Sequence, residues 1–574
     1  MLSAILIQAF LDRKGDVMRF HPGRLIAFVA VICASAALFA GAQTMRGDAA
    51  ATITAALVKD TNPGVNSGNP VDLVVLGGNV FFQATDGGHG IELWKSDGTA
   101  AGTAMVKDIN TAGDSSPSNL IVLGHSIFFT ANDGTHGSEL WRSDGTVAGT
   151  TLVKDINASG SASSTPGDLV VFNGFLFFAA TDSSHGVELW RSNGTPDGTT
   201  MVKDINKKSG NGSSNPNGLI QCNGKLFFSA DDGTHGSELW RSDGTETGTA
   251  MVKNINPGAA KGVSSLIAGV LGNALFFRGT DATHGSELWK SDGTAAGTVM
   301  VKSINSGSAN SAPSNFTTVN NALFFEATDA THSRELWKSN GTAAGTAMVK
   351  DINPSGSSAS SNFVAFGSSL VFQANDGTNG AEPWKSDGTA AGTVMIKDIN
   401  TSAGFSSTPS GFVALNSVLY FTATDGAHGR ELWVTNGSAA GTGMFADINP
   451  GGDSSPGWLT PFKGNLIFSA TDPSHGTELW RTSDFSPPQT KITKHPKKTV
   501  RTKNKSAKVR FRFSSDEPGS KFACKLDSGT WKACKSTKTL KVKKGKHTFQ
   551  VRATDASGNV DKTPAKWVWR VKRT

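Results

Sequence analysis

The stretch FFTANDGTHGSELWRSDGTVAGTTLVKDIN, Phe128–Asn157, decides the fold, because close variants of it fill most of the 574-residue chain. With the Glu of ELW as a ruler, copies fall at Glu92, Glu139, Glu188, Glu238, Glu287, Glu335, Glu382, Glu431 and Glu478, and Pro383 once replaces the Leu. The spacing is 47 to 50 residues, a period that marks propellers and solenoids. Inside the unit the spacing is constant: 11 residues from the first position of the FF pair to that Glu, and 16 from that Glu to the Asp position of VKDI. All length variation falls after KDIN, in stretches rich in Gly, Ser, Asn and Pro such as TAGDSSPSN, Thr111–Asn119.

Each unit parses into four short strands, as in LIVLG (Leu120–Gly124), SIFFTAN (Ser126–Asn132), SELWRS (Ser138–Ser143) and TTLVKDI (Thr150–Ile156). Asp133-Gly134 and Asp144-Gly145 open the turns between them, where positive φ is needed. Four antiparallel strands per unit is the layout of a propeller blade. The ends are offset: a lone fourth strand, AALVKD (Ala55–Asp60), precedes the first unit, and the last unit stops after its third strand at TELWRTS (Thr477–Ser483). Pairing these two pieces would close a circle and hide both edges. The expected fold is therefore all-β, a nine-bladed β-propeller over 55–484 closed by its N-terminal strand; two smaller rings or an open array leave the offset unexplained.

Nine of the 13 Trp occupy the ELW position. A buried aromatic removes about 150–250 Å² from water, so each is expected to pack between blades. Eight His fall in DGTHG-type turns, at His89, His136, His185, His235, His284, His332, His428 and His475, with Asn379 in the seventh unit. They are candidate binding residues; the plainer reading pairs each with its own Glu three residues on, or with backbone. Neighbouring blades stand about 10 Å apart, too far for His of different blades to share one zinc ion. No cofactor is expected, although the repeated Asp and Glu leave calcium open. In a propeller the variable loops share a face with the His turns, so that face is the expected binding surface. Arg278, Glu326 and His125 break the repetition as candidates for a unique site, but no catalytic constellation emerges, and no enzyme activity is expected.

Charge is segregated. Residues 487–574 hold 25 Lys/Arg and 5 Asp/Glu, whereas residues 49–486 hold 24 and 39. The tail alternates apolar and basic residues in KVRFRFS and HTFQVRATD, which reads as strands of an Ig-like β-sandwich over 485–574. Lys497, Lys498, Arg501, Lys503, Lys505, Lys541, Lys543, Lys544 and Lys546 are its candidate polyanion contacts. Cys524 and Cys534 flank a turn and are expected to form a disulfide; Cys222 reads as a small buried hydrophobe. Arg19 and Arg24 precede the apolar run Leu25–Ala40 and a small-residue cleavage site, so residues 1–42 read as a signal peptide, with Met18 as an alternative start and 43–54 as a linker. An uncleaved anchor is the other reading; a membrane span in the mature chain is not expected.

The repeat resembles the bacterial ELWxxDGT repeat proteins over residues 56–484, with Asn193, Asn340 and Asn436 in place of the turn Asp. That resemblance implies a secreted or surface protein of propeller type and no particular activity. FACKLD, GKHTFQVRATDASGNVD and WVWRV resemble the small Ig-like domains of bacterial extracellular proteins. The expected function is secreted or cell-surface recognition and adhesion: propeller loops that bind an extracellular glycan or protein, and a basic domain that tethers to an anionic cell-envelope polymer. Specific nucleic-acid binding is not expected. The alternative is an extracellular glycan-active enzyme with its site on the loop face.

Overall fold

The computed structural model describes residues 53–208, 212–402, 404–484, 488–516, 520–554 and 560–574. The expected signal peptide, and all of the 43–54 linker but its last two residues, lie outside the described residues. Among the described residues every regular element is a strand, and no helix is long and apolar enough to cross a membrane.

Residues 53–484 form nine four-stranded antiparallel sheets, an arrangement of propeller type. In the second repeat, Ser118–Leu123, Ser126–Asn132, Ser138–Ser143 and Thr151–Lys154 pair in chain order. The second strand is apolar on both faces because Ile127 to Ala131 are all buried, Ile127, Phe129 and Ala131 against one neighbouring sheet and Phe128 against the other, with Thr130 bonded to the Pro166 carbonyl. The first strands touch in a closed circuit, with Val71–Leu76 between Ser118–Leu123 and Gly457–Phe462. Ile53–Lys59 pairs antiparallel with Gly476–Asp484, Ala56 opposite Arg481 and Leu57 opposite Trp480. The ninth sheet thus takes its outer strand from the opposite end of the chain, which leaves that ELW strand no open edge.

Repeated side chains join each sheet to the next. Trp240 packs on Phe177, Leu189, Val202 and Ile205 of the sheet before it, and Trp94 packs on Val58, Ile467 and Leu479 of the ninth sheet. The nine ELW indole N–H groups are buried without a hydrogen-bond acceptor, so apolar contact holds these rings. The Gly of each DGT turn lies on a ring of the preceding sheet: a Cβ at Gly145, φ +88°, would stand 2.9 Å from Phe81, and one at Gly98 would stand 3.3 Å from Phe462. The Lys of VKDI reaches across to a Thr carbonyl of the following sheet, from Lys107 to Thr150 at 3.0 Å, and across the closure from Lys59 to Thr103 at 2.8 Å. Eight such straps span 2.7 to 3.0 Å. The junction between the eighth and ninth sheets has none, since Ala446 occupies the Lys position.

Pro383 has a local consequence. In the other sheets the Leu of ELW pairs with the Lys of VKDI, as Leu93 does with Lys107, or in the eighth with Ala446 in its place. Proline has no N–H to offer, and the seventh sheet's fourth strand shrinks to Val394–Met395.

The tail forms two sheets, one of three strands and one of five. Between them lies a core of Phe511, Phe513, Phe549, Val551 and Trp569. Cys524 and Cys534 are joined by a disulfide, with Cα atoms 5.9 Å apart. Cys222 is buried, and burial pushes its thiol up, away from the reactive thiolate.

Replacing Trp240 by Ala removes one inter-sheet contact. The variant is expected to lose about 3–5 kcal/mol in a urea melt; a midpoint equal to the parent's would reject the inter-sheet role.

Candidate functional site

The ELW Glu is the buried charged group common to every repeat, fully inaccessible in all nine. It clamps both ends of the variable loop that follows the fourth strand. Glu92 accepts from the Ile109 N–H at 2.8 Å, where the loop begins, and from the Ser115 hydroxyl at 2.6 Å, where it ends. Glu188 does the same with Ile205 and Ser214, as does Glu382 with Ile399 and Ser407. Loop length varies while the base stays constant. Across the closure Glu478 takes the N–H and hydroxyl of Thr61, at 2.9 and 2.6 Å, and the N–H of Gly68, at 2.6 Å. Burial raises these carboxyls above their usual range, and the donated bonds pull them part of the way back. Glu238 has only N–H donors, from Ile255, Asn256 and Gly262, and is pushed up to about 7.

The DGT turn is a hydrogen-bonded knot. Asp97 Oδ1 accepts the N–H and hydroxyl of Thr99, and Ser96 meets Thr103 at 2.7 Å. Asn193 Oδ1 accepts the same pair from Thr195, at 3.0 and 2.7 Å. An amide oxygen serves as well as a carboxylate, so the turn needs an acceptor and not a charge. Among the described residues no group of three or more His, Cys, Asp and Glu is arranged to hold a metal.

The eight turn His do not pair with the Glu suggested by their spacing. That Glu is sequestered by the loop, and the His partner is the Asp three residues before it. Nδ1 lies 2.7 to 3.0 Å from Asp86, Asp133, Asp182, Asp232, Asp281, Asp329, Asp425 and Asp472 in turn. A carboxylate only accepts, so Nδ1 carries the proton. In the seventh unit Asn379 Nδ2 supplies the same bond to Asp376 at 2.8 Å. The repeated role is therefore donation across the turn, with the rings between 34% and 55% exposed on the loop face.

The ring's irregular residues gather in two places. Glu326 accepts from Arg334 Nη2 at 2.7 Å, and burial together with the nearby Arg334 charge lowers Arg278 of the preceding sheet. In the eighth sheet Arg430 donates to the hydroxyls of Ser410 and Thr422. His125 is exposed in its hairpin.

In the tail, the nine candidate Lys and Arg are all exposed. Arg501 and Lys541 line a cleft of about 730 Å³ together with Lys508. Lys508, Arg510 and Arg512, passed over among the candidates, point outward from Ser506–Ser515 between buried Val509, Phe511 and Phe513. Lys508 stands directly opposite Lys541, and Arg512 opposite Lys494. Like charges directly opposed destabilise a sheet. Among the described residues no Lys or Arg of the tail has an acidic partner within ion-pair distance; the only pair there is His547 with Asp527.

No protein-family model matches the chain, and no curated protein matches it. Solved structures to which it is similar include the extracellular domain of a proposed one-component system from B. thetaiotaomicron, at 11% identity and TM-score 0.27, covering 88% of this chain and 80% of that one. Others are a Mycobacterium tuberculosis puromycin-hydrolysing peptidase (11%, TM-score 0.33, 64% and 59%) and a prolyl endopeptidase (10%, TM-score 0.36, 76% and 54%). The chain spans less than two thirds of either peptidase. These peptidases overturn the expectation that the chain is not an enzyme, and that expectation is withdrawn. At such TM-scores the likenesses assign no activity to it.

Above the ordinary carboxylate range, where the lowered turn Asp are already ionised, the buried Glu and the turn His give the ring a pH dependence of one sign. Glu238 binds its proton more tightly folded than unfolded, so its contribution is present below the ordinary carboxylate range and lost as pH rises towards about 7. The bonds to Asp raise His89, His136, His185, His332, His428 and His475, whose contribution is present below about 6.5 and lost as pH rises through the raised values. Thermal melts are expected to show lower midpoints at pH 8 than at pH 5.5. Glu238→Gln should flatten the slope between pH 5 and 7 while costing about 1–3 kcal/mol through mismatched donors. A slope equal to the parent's would contradict the assignment.

Proposed function

We propose that the chain is a secreted or cell-surface recognition protein. In this reading a nine-bladed propeller presents its clamped loops to an extracellular glycan or protein. An Ig-like sandwich then holds the ring to an anionic polymer of the cell envelope. The observation that carries the reading is the basic sheet face, with Lys508 against Lys541, Arg512 against Lys494 and, among the described residues, no acid within ion-pair distance of them. A fold that keeps such opposed charges forgoes stability it could recover by one substitution, and an external polyanion supplies the missing counter-charge. The segregation of acidic ring from basic tail supports the same division of labour.

The test is retention of the whole protein on cell envelopes and on immobilised teichoic acid. Retention is expected to fall with added salt and to fall at every salt concentration in a Lys508→Thr/Arg512→Thr variant. The same variant should be more stable by about 0.2–1 kcal/mol for each relieved pair. Retention unchanged in the variant would reject the tethering face.

A further inference from the structure

The first strand of most sheets carries a bulge whose second residue is left-handed: Asp72, Asn119, Asp168, Asn315 and Asn362 have φ between 55° and 58°. Asp and Asn tolerate this conformation. Four of these side chains, those of Asp72, Asp168, Asn315 and Asn362, bridge to the next sheet at or just before its first strand. Asp72 accepts from the Leu120 N–H at 2.8 Å and Asp168 from the Leu219 N–H at 2.9 Å, while Asn362 Nδ2 donates to the Pro409 carbonyl at 3.2 Å. The fourth and eighth sheets have a glycine at this position, Gly218 and Gly411, so no side chain from it reaches the next sheet. The ninth has Trp458, at φ 56° and 51% exposed. A bulky side chain in this region is a conformational outlier, and such strain collects at ligand sites.

Between Gly411 and Trp458 lies a cleft of about 370 Å³, lined also by Ser410, Phe412, Thr422 and Thr460. No Asp, Glu, Lys or Arg lines it. Arg430, behind it, donates to the Ser410 and Thr422 hydroxyls, which stand 3.1 Å apart, and so holds a polar pair in place. The same junction lacks the Lys strap. Among the described residues Trp458 and Phe405 are the exposed aromatic side chains, and Phe405, 65% exposed, lies in the loop entering the eighth sheet. At the junction of the eighth and ninth sheets Trp458 thus stands where the other bulged strands have Asp, Asn or Gly, and Ala446 stands where other sheets have the strap Lys, beside a glycine that leaves space.

We infer that the cleft between the eighth and ninth sheets binds a neutral pyranose ring stacked on Trp458. This rests on the loop face being a recognition surface and names its ligand class. A pyranose offers an apolar C–H face to an aromatic plane and a rim of hydroxyls to Ser and Thr, and an uncharged lining suits an uncharged sugar.

The experiment is calorimetric titration of the full chain with neutral β-linked hexasaccharides of glucose, mannose and N-acetylglucosamine, with a proline-rich peptide as the competing ligand class. Trp458→Asn restores the residue type used elsewhere at this bulge. It is expected to keep or raise the melting temperature while weakening saccharide binding at least about tenfold. Gly411→Asn, which fills the cleft, should weaken it similarly. Saccharide binding unchanged in Trp458→Asn would overturn the inference and leave envelope retention by the basic face unaffected. Binding of the peptide alone, or of nothing in the panel, would overturn the sugar assignment.

Discussion

The pairing of Ile53–Lys59 with Gly476–Asp484 is the contact on which the other eight sheets depend. Each of the first eight sheets leans on the one before it through a Trp, a Gly against an aromatic ring and a Lys strap, and the ninth leans on the eighth through Trp480, so an open end would leave one such face bare to water. The closure uses the same parts as the seven junctions from the first sheet to the eighth: Lys59 to Thr103, Trp94 on Val58, Gly98 on Phe462. Glu478 then anchors Thr61 and Gly68 as each internal Glu anchors its own loop. A ring assembled from weak, repeated contacts gains most from the last one, since it removes both edges together.

Much of this was legible because spacing in a repeat is itself structural information. The constant distances from FF to Glu and from Glu to Asp placed the strands, and the offset ends named the closing partner. The Glu clamp was not legible, because its Ser donors lie at variable distances, 23 residues on at Ser115 and 26 at Ser214. The signal that could have found it is the Ser two residues before Pro117, Pro166, Pro216, Pro313, Pro409 and Pro456. The His partner was missed for a related reason. Counting forward reached a Glu that the loop had already claimed, while the tight turn folds each ring back onto the Asp three residues earlier. In the tail, alternation marked Lys508, Arg510 and Arg512 as outward, although the candidate contacts lay in the denser basic runs around Lys497–Lys505 and Lys541–Lys546. Cross-strand register, which a single sequence does not display, is what sets Lys508 against Lys541.

Substitutions within the repeat separate structural residues from functional ones. Asn for the turn Asp and Asn for the turn His preserve the same bonds, so these positions serve the fold. Trp458 and Ala446 each replace a residue type that the other sheets keep, and both lie at the junction that Gly411 leaves open. The tail departs differently, by concentrating like charge on one sheet. Function in this chain is read where regularity is given up, and the loss of local stability marks the place.

The most direct measurement of the closure is a disulfide trap. Ala56 and Arg481 stand directly opposite each other, at a separation that antiparallel partners and a disulfide both accept. In an Ala56→Cys/Arg481→Cys chain under mild oxidation, the account predicts a monomeric cross-linked product with a raised unfolding midpoint. Failure to cross-link, or cross-linking only between chains, would show that the N-terminal strand does not complete the ninth sheet and would contradict the closed ring.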